Sequence, residues 1–227
     1  MSSSKGLRYD IFDVFAESPY SGNPLAVVHG AAALDTTTMQ AIAREMNLSE
    51  TAFVLHDAAR DGAHDVRIFT PSHELPYAGH PTLGTAFAIR EAWLGGEAEA
   101  LLLRLGIGPV RVQFAKDGLV WLDAPRAQFE PAPEPAAVAG ALGIALADLD
   151  PRLPIELMTT GFAQLFVPIR DLDALRACRI DPAAYRRLRD IGAPASLYAF
   201  TRGARNPRNT LSARLFAPDM GVPEDPA

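Results

Sequence analysis

The fold is decided by the stretch Glu74-Leu75-Pro76-Tyr77-Ala78-Gly79-His80-Pro81-Thr82-Leu83-Gly84. Gly79 permits a tight turn and Pro81 presets the backbone angle of a first helical residue, which predicts a helix from Pro81 to about Trp93. The apolar residues at 83 and 86–89 spread around most of that helix, a pattern typical of a helix buried on most sides. A curled sheet that surrounds the helix would satisfy this demand.

Strand-like segments lie on both sides of this helix. Those before it cover about 8–15, 25–29, 51–56 and 66–70, and a helix capped by Asp35 runs to about Met46 between the second and the third. Those after it cover 100–105, 110–114 and 119–122. The first half of the chain is therefore predicted to be a sheet with one enclosed helix.

The proline-rich segment 125–136 carries the clearest change in composition, and it predicts a domain boundary. The two predicted domains span residues 7–124 and 125–227. The second repeats the style of the first, with strands near 155–158, 165–169, 197–201 and 212–216 and helices near 171–178 and 182–191. At its end, Asp225 and Pro226 are typical of the N-cap and first residue of a helix.

Composition narrows the functional classes. The 227 residues carry a net charge of −6 and no outstanding basic run, which argues against nucleic acid as a partner. No apolar run reaches the length of a membrane span, and Met1–Gly6 is expected to be a disordered tail rather than a secretory signal. Cys178 is the one cysteine, so it has no partner for an internal disulfide, and this fits a reducing cytoplasm. It follows apolar residues at helical spacing and is therefore expected to be buried.

Glu50 is the first candidate for chemistry. It lies in Asn47-Leu48-Ser49-Glu50-Thr51, where a helix ends and an apolar strand begins. A carboxylate at the mouth of an apolar pocket has its charged form disfavoured, so its pKa would rise from about 4.3 toward the about 6–7 suited to proton transfer. The alternative is a surface glutamate at the start of a strand, and spacing alone favours that alternative.

The start of the Pro81 helix is the second candidate. Backbone N–H groups left free there form an anion site suited to a substrate carboxylate, with His80 at its lip to bind substrate or shuttle a proton. A plain helix start with His80 as its N-cap is equally open. The five histidines show no metal-ligand spacing, and neither a nucleophile-elbow motif nor a phosphate-binding glycine loop occurs.

Several separated motifs together resemble the PhzF-like family, named for the phenazine-biosynthesis isomerase. They are Phe12-Asp13-Val14-Phe15, Gly22-Asn23-Pro24-Leu25, Leu48-Ser49-Glu50-Thr51, the stretch from Glu74 to Gly84, and Phe216-Ala217-Pro218 with Glu224-Asp225-Pro226-Ala227. Their order along the chain is far more specific than any one of them. The resemblance covers most of the chain and is weakest near 125–154 and 179–209.

The resemblance implies an α+β fold like that of diaminopimelate epimerase. Two pseudo-symmetric halves each wrap a curled, mostly antiparallel sheet around a central helix. It further implies an isomerase or epimerase that uses no metal or organic cofactor and moves a proton on a small carboxylate-bearing metabolite. The acid–base role falls on Glu50, and substrate binding falls on Asn23, Gly79, His80 and Asp225. Members are typically homodimers, and a cytoplasmic enzyme is expected.

One departure from the family pattern concerns the end of the chain. In the family, the Asp-Pro-Ala run continues into the central helix of the second half, so that half is expected to be incomplete here, with poor stability. Two functional alternatives stay open: a catalytically inactive protein that binds a small acid, and a lyase or hydrolase on the same scaffold.

Overall fold

A computed structural model of the chain describes residues 6–204 and 206–225. These residues form two compact units, one up to Pro125 and one from Arg126 onward. The predicted N-terminal tail falls almost wholly on residues 1–5, outside the described part. The helix predicted to start at Pro226 also lies outside the described residues.

In residues 6–125 the structure forms eight strands and two α-helices. They are β1 (Tyr9–Val14), β2 (Asn23–Val28), α1 (Thr36–Met46), β3 (Glu50–Val54), β4 (His64–Phe69), β5 (Glu74–Leu75), α2 (Gly79–Trp93), β6 (Ala100–Leu105), β7 (Gly108–Phe114) and β8 (Val120–Leu122). The strand order is β1-β2-β3-β4-β6-β7-β8, with β5 beside β4. The pairs β2–β3 and β4–β6 are parallel and the others are antiparallel.

Helix α2 is enclosed by this sheet. It contacts both β1 and β8, the two ends of the strand order, so the sheet must curl around it. Gly84 allows the close approach, because a Cβ there would lie 2.7 Å from Cδ2 of Leu25 and 2.8 Å from Cγ2 of Val14. The prediction of a helix surrounded by a curled sheet is confirmed.

The start of α2 differs from the prediction. The helix begins at Gly79, two residues before Pro81, and Gly79 is not among the glycines with a positive φ angle. The predicted tight turn at Gly79 is therefore wrong. Proline tolerates any place in the first turn, where its missing N–H has no helical acceptor, so Pro81 did not fix the boundary.

Helix α1 covers the opposite face of the sheet. As predicted, Asp35 caps it, and its side chain accepts a hydrogen bond from the backbone N–H of Thr38. Met39 and Ala43 pack with Phe53 and Phe69 into a buried cluster. The sheet of the first unit therefore lies between α1 and α2.

In the described residues from 126 onward the structure forms six strands and three α-helices. They are β9 (Gln128–Glu130), α3 (Pro135–Ala141), β10 (Glu156–Thr159), β11 (Ala163–Pro168), α4 (Leu172–Ala177), α5 (Pro182–Asp190), β12 (Ser196–Arg202), β13 (Leu211–Ala217) and β14 (Val222–Asp225). The strand order follows the sequence from β9 to β14, and only β11–β12 is parallel. The three helices pack on one face of this sheet, around Leu165, Leu197 and Phe216.

The two units repeat one arrangement. Strands β1–β5 and β10–β14 share the same order, and in each set the second and third strands are parallel and joined through helices. The repeat extends to side chains in β4 and β13. Arg67 lies over the ring of Phe69 and Arg214 over that of Phe216, and each arginine binds a glutamate on the neighbouring short strand.

Two histidines flank Trp93 at the end of α2. The His29 ring meets the indole edge-on at 4.9 Å and the His64 ring stacks on it at 6.3 Å. Nε2 of His29 lies 2.8 Å from the Asp10 carboxylate, while the Nδ1 atoms of both rings are buried with no hydrogen-bond partner among the described residues. Burial lowers the pKa of both histidines below the ordinary 6.5, although nearby Asp10 and Asp65 oppose it.

We expect the first unit to lose stability as the pH falls below about 6.5. The unfolded chain takes up protons on His29 and His64 at a higher pH than the folded chain, so their contribution is present above 6.5 and is lost on acidification. Urea unfolding followed by tryptophan fluorescence between pH 5 and 8 measures this slope. His64→Phe should flatten it, whereas His73→Gln, which removes an exposed histidine, should not. An unchanged slope in His64→Phe would refute the assignment.

No helix among the described residues is both long and apolar enough to cross a membrane.

Candidate active site

Glu50 opens β3 and faces the central helix. Successive side chains of a strand point to opposite faces, so Thr51 and Phe53 lie on one face of β3 and Glu50 on the other. Phe53 packs toward α1, and Glu50 therefore projects toward α2. Its backbone pairs with that of Leu25 in the parallel strand β2. Only 6% of Glu50 is exposed, so the alternative of a surface glutamate is not what the structure has.

His80 meets Glu50 from the second residue of α2. Its Nε2 lies 3.3 Å from Oε2 of the Glu50 carboxylate, and His80 is 7% exposed. The N-cap of the helix is Ala78, so the alternative in which His80 serves as the cap is wrong. A carboxylate and an imidazole are thus held side by side away from bulk water.

Asn23 contacts the other side of the same imidazole. Its Nδ2 lies 3.3 Å from Nδ1 of His80, and it is 1% exposed. Asn23 begins β2, and its side chain lies on the opposite face of the strand from that of Val28. Val28 packs toward α1, so the Asn23 side chain also projects toward α2. The three residues form a row, Asn23–His80–Glu50.

The start of α2 offers backbone donors beside this row. No side chain caps the helix, because its N-cap is an alanine. Gly79 is exposed, and a Cβ built on it would meet nothing within 4 Å. Open space beside Gly79, at the positive end of a helix dipole, favours a carboxylate ligand.

Asp225 lies in the second unit, as the last residue of β14, opposite Leu215 of β13. It is 6% exposed. In the same sheet, Leu215 is paired with Tyr198, and the pKa of the Tyr198 hydroxyl is raised by burial and then by the negative charge of Asp225. Asp225 therefore projects from the face that carries Tyr198, opposite the helices. The structure brings together Asn23, Gly79, Glu50 and His80, and it describes Asp225 within its own unit.

Other reactive groups are placed elsewhere. Cys178 is fully buried, as predicted, and burial raises the pKa of its thiol to about 11. Within the described ranges, no three His, Cys, Asp or Glu side chains are grouped to hold a metal ion.

Comparisons with known proteins fit this fold. A sequence profile of the PhzC–PhzF family, described as phenazine biosynthesis-like protein, matches residues 12–227. The chain belongs to the PhzF family. Trans-2,3-dihydro-3-hydroxyanthranilate isomerase from Pseudomonas aeruginosa is 37% identical over 97% of this chain and 75% of its own length.

Solved structures of this family share the architecture. The PhzF-family protein of Bacillus anthracis matches with a TM-score of 0.82 and 28% identity, over 96% of this chain and 75% of that one. A hydroxyproline epimerase from Agrobacterium vitis matches with a TM-score of 0.57 at 15% identity, over 99% of this chain and 73% of that one, a likeness of fold alone. The protein is a PhzF-like isomerase or epimerase with an epimerase-like α+β fold.

The contact between Asn23 and His80 is the main site feature that the sequence did not reveal. The Gly22-Asn23-Pro24 motif marked Asn23 for substrate binding, whereas the structure gives its amide a protein partner. The available signal was conformational. A glycine before a polar residue and a proline after it indicate that the backbone of that residue is held in one conformation.

Proposed function

We propose that the protein moves a proton between two positions of a small carboxylate-bearing metabolite, with Glu50 as the general base and then, once protonated, the general acid. The observation that carries this proposal is the 3.3 Å approach of the Glu50 carboxylate to Nε2 of His80 at an uncapped helix start. It supplies a base and an anion cradle side by side.

The chemistry follows from these positions. The substrate carboxylate lies on the N–H groups near Gly79, which places an adjacent carbon near Glu50. Glu50 takes a proton from a carbon made acidic by a neighbouring double bond or carbonyl group. The same carboxyl group returns the proton at another carbon, so the reaction is an isomerisation with no net change in composition. His80 orients the substrate.

A carboxylate suffices for this proton transfer, so the proposal includes no cofactor. Exhaustive dialysis and a chelator should leave the rate unchanged, and a rate restored only by an added metal or organic cofactor would contradict this part.

Exchange of substrate hydrogen with heavy water tests the proposal. The protein is incubated in D₂O with a panel of unsaturated carboxylic acids, beginning with trans-2,3-dihydro-3-hydroxyanthranilate, the compound in the name of the Pseudomonas aeruginosa relative. We expect a product of unchanged composition that carries deuterium. Binding with no exchange would indicate an inactive binding protein, and a change in composition would indicate a lyase or hydrolase.

A further inference from the structure

The amide of Asn23 faces Nδ1 of His80, whereas Nε2 of the same ring faces Glu50. We propose that Asn23 is a positioning residue that keeps His80 electrically neutral, with its one ring proton on Nε2, directed at Glu50. The inference deepens the proposed function and rests on it only for the catalytic consequence, because the protonation of His80 is measurable in itself.

The hydrogen-bond chemistry of the row points to this arrangement. An amide nitrogen only donates, so Nδ2 of Asn23, at 3.3 Å, requires a lone pair on Nδ1 of His80. The ring proton of a neutral imidazole then lies on Nε2, which is 3.3 Å from Oε2 of the Glu50 carboxylate. A second proton on Nδ1 would meet the N–H of Asn23, so the imidazolium form requires the amide to turn around.

The backbone around Asn23 holds its side chain in place. Gly22 has a φ angle of +86°, and a Cβ on it would lie 2.3 Å from the carbonyl oxygen of Val14, so no other residue fits there. Pro24 restricts the residue before it to extended conformations. The Gly22-Asn23-Pro24 motif thus fixes Asn23 from both sides.

Neutrality of His80 matters because of the group beside it. An imidazolium next to Glu50 would form an ion pair and hold the carboxylate in its charged form. For a carboxylate beside a cation, that effect lowers the affinity for a proton by about 10- to 1,000-fold. A neutral His80 places an N–H beside Glu50 without forming an ion pair, and it leaves the carboxylate basic enough to take a proton from carbon. Asn23 would therefore set the basicity of Glu50 indirectly, through His80.

Nitrogen NMR of protein labelled with ¹⁵N-histidine tests the proposal without substrate. The His80 resonances are assigned by their loss in His80→Gln. At pH 7 we expect an unprotonated Nδ1 and a protonated Nε2. In Asn23→Asp, whose carboxylate accepts from Nδ1–H, we expect both nitrogens to be protonated and the rate of deuterium exchange to fall at least about 10-fold. Asn23→Ala should let His80 take up its second proton at a higher pH than in the wild type.

The control is Thr51→Val, which removes a buried hydroxyl next to Glu50 on the other face of β3. It should leave the His80 resonances unchanged, as should the His29 and His64 signals in every variant. A wild-type His80 with a protonated Nδ1 at pH 7 would overturn the proposal, and so would unchanged protonation in Asn23→Asp. A wild type that shows the expected resonances but no exchange would instead count against the proposed function alone.

Discussion

Glu50→Gln should lower the rate of substrate deuterium exchange by about 10²-fold or more. General acid–base catalysis by one positioned side chain typically contributes 10²- to 10⁴-fold, and the glutamine amide has no comparable basicity. The substitution preserves shape, and a side-chain oxygen can still lie beside Nε2 of His80, where the carboxylate oxygen is now 3.3 Å away. We therefore expect substrate binding to change far less than turnover.

Stability separates this loss from misfolding. Glu50 is 6% exposed, so replacing its charge by a neutral amide should leave the free energy of unfolding equal or slightly higher. Thermal unfolding and circular dichroism measure this. Glu74→Gln is the matched control, because Glu74 lies in the same unit but binds Arg67 near the surface, and its rate should equal that of the wild type. Exchange at the wild-type rate in Glu50→Gln would remove Glu50 from the mechanism.

The sequence predicted the first unit well because its strongest signals are local. Asp35 caps α1 by a hydrogen bond within its own first turn, and the apolar circumference of α2 follows from composition alone. The short strands β5 and β14 were not predicted, because they are held by pairing with distant strands rather than by their own pattern. Helix α3 was also missed, since its one proline and its alanines are equally typical of a linker.

The two halves were predicted to be similar, but a residue-by-residue match between them was visible in the sequence and was not recognised. Arg67-Ile68-Phe69-Thr70-Pro71 and Arg214-Leu215-Phe216-Ala217-Pro218 differ only by apolar or small substitutions at two positions. Only the structure gives the pattern its meaning, because the glutamates that bind the two arginines follow at different separations, at 74 and at 224. The intervening turns differ in length, which hides the match from a fixed-spacing search.

The repeat also explains why Glu50 could not be recognised from its pattern alone. Phe69 pairs with Thr51 of β3, and Phe216 pairs with Leu197 of β12. In both strands the first residue is the one just before that pairing residue. This first residue is Glu50 in β3 and Ser196 in β12. Both are buried, and the fold accommodates either one. The fold therefore does not require an acidic group at this place, and periodicity carries no signal of one.

Arg214→Met should lower the free energy of unfolding of the second unit by about 2–4 kcal/mol, because it removes hydrogen bonds from a charged donor to three carbonyl oxygens and to a carboxylate. Nη1 of Arg214 donates to the carbonyls of Leu175, Arg176 and Cys178 at 3.0, 3.3 and 2.8 Å, at the end of α4. Nε and Nη2 bind Glu224, each at 2.7 Å. Methionine keeps the apolar stem over Phe216 but replaces none of these bonds.

Arg67→Met is the matched comparison, and it should cost only about 1 kcal/mol. Apart from a contact with the sulfur of Met39, Arg67 binds the side chains of Glu74 and Thr36, which water can solvate once the guanidinium is gone. Hydrogen exchange read by mass spectrometry resolves the two units, and tryptophan fluorescence adds a probe of the first, because Trp93 and Trp121 both lie there. Equal losses in the two variants would mean that Arg179, which also donates to the carbonyls of Arg176 and Cys178, satisfies them without Arg214.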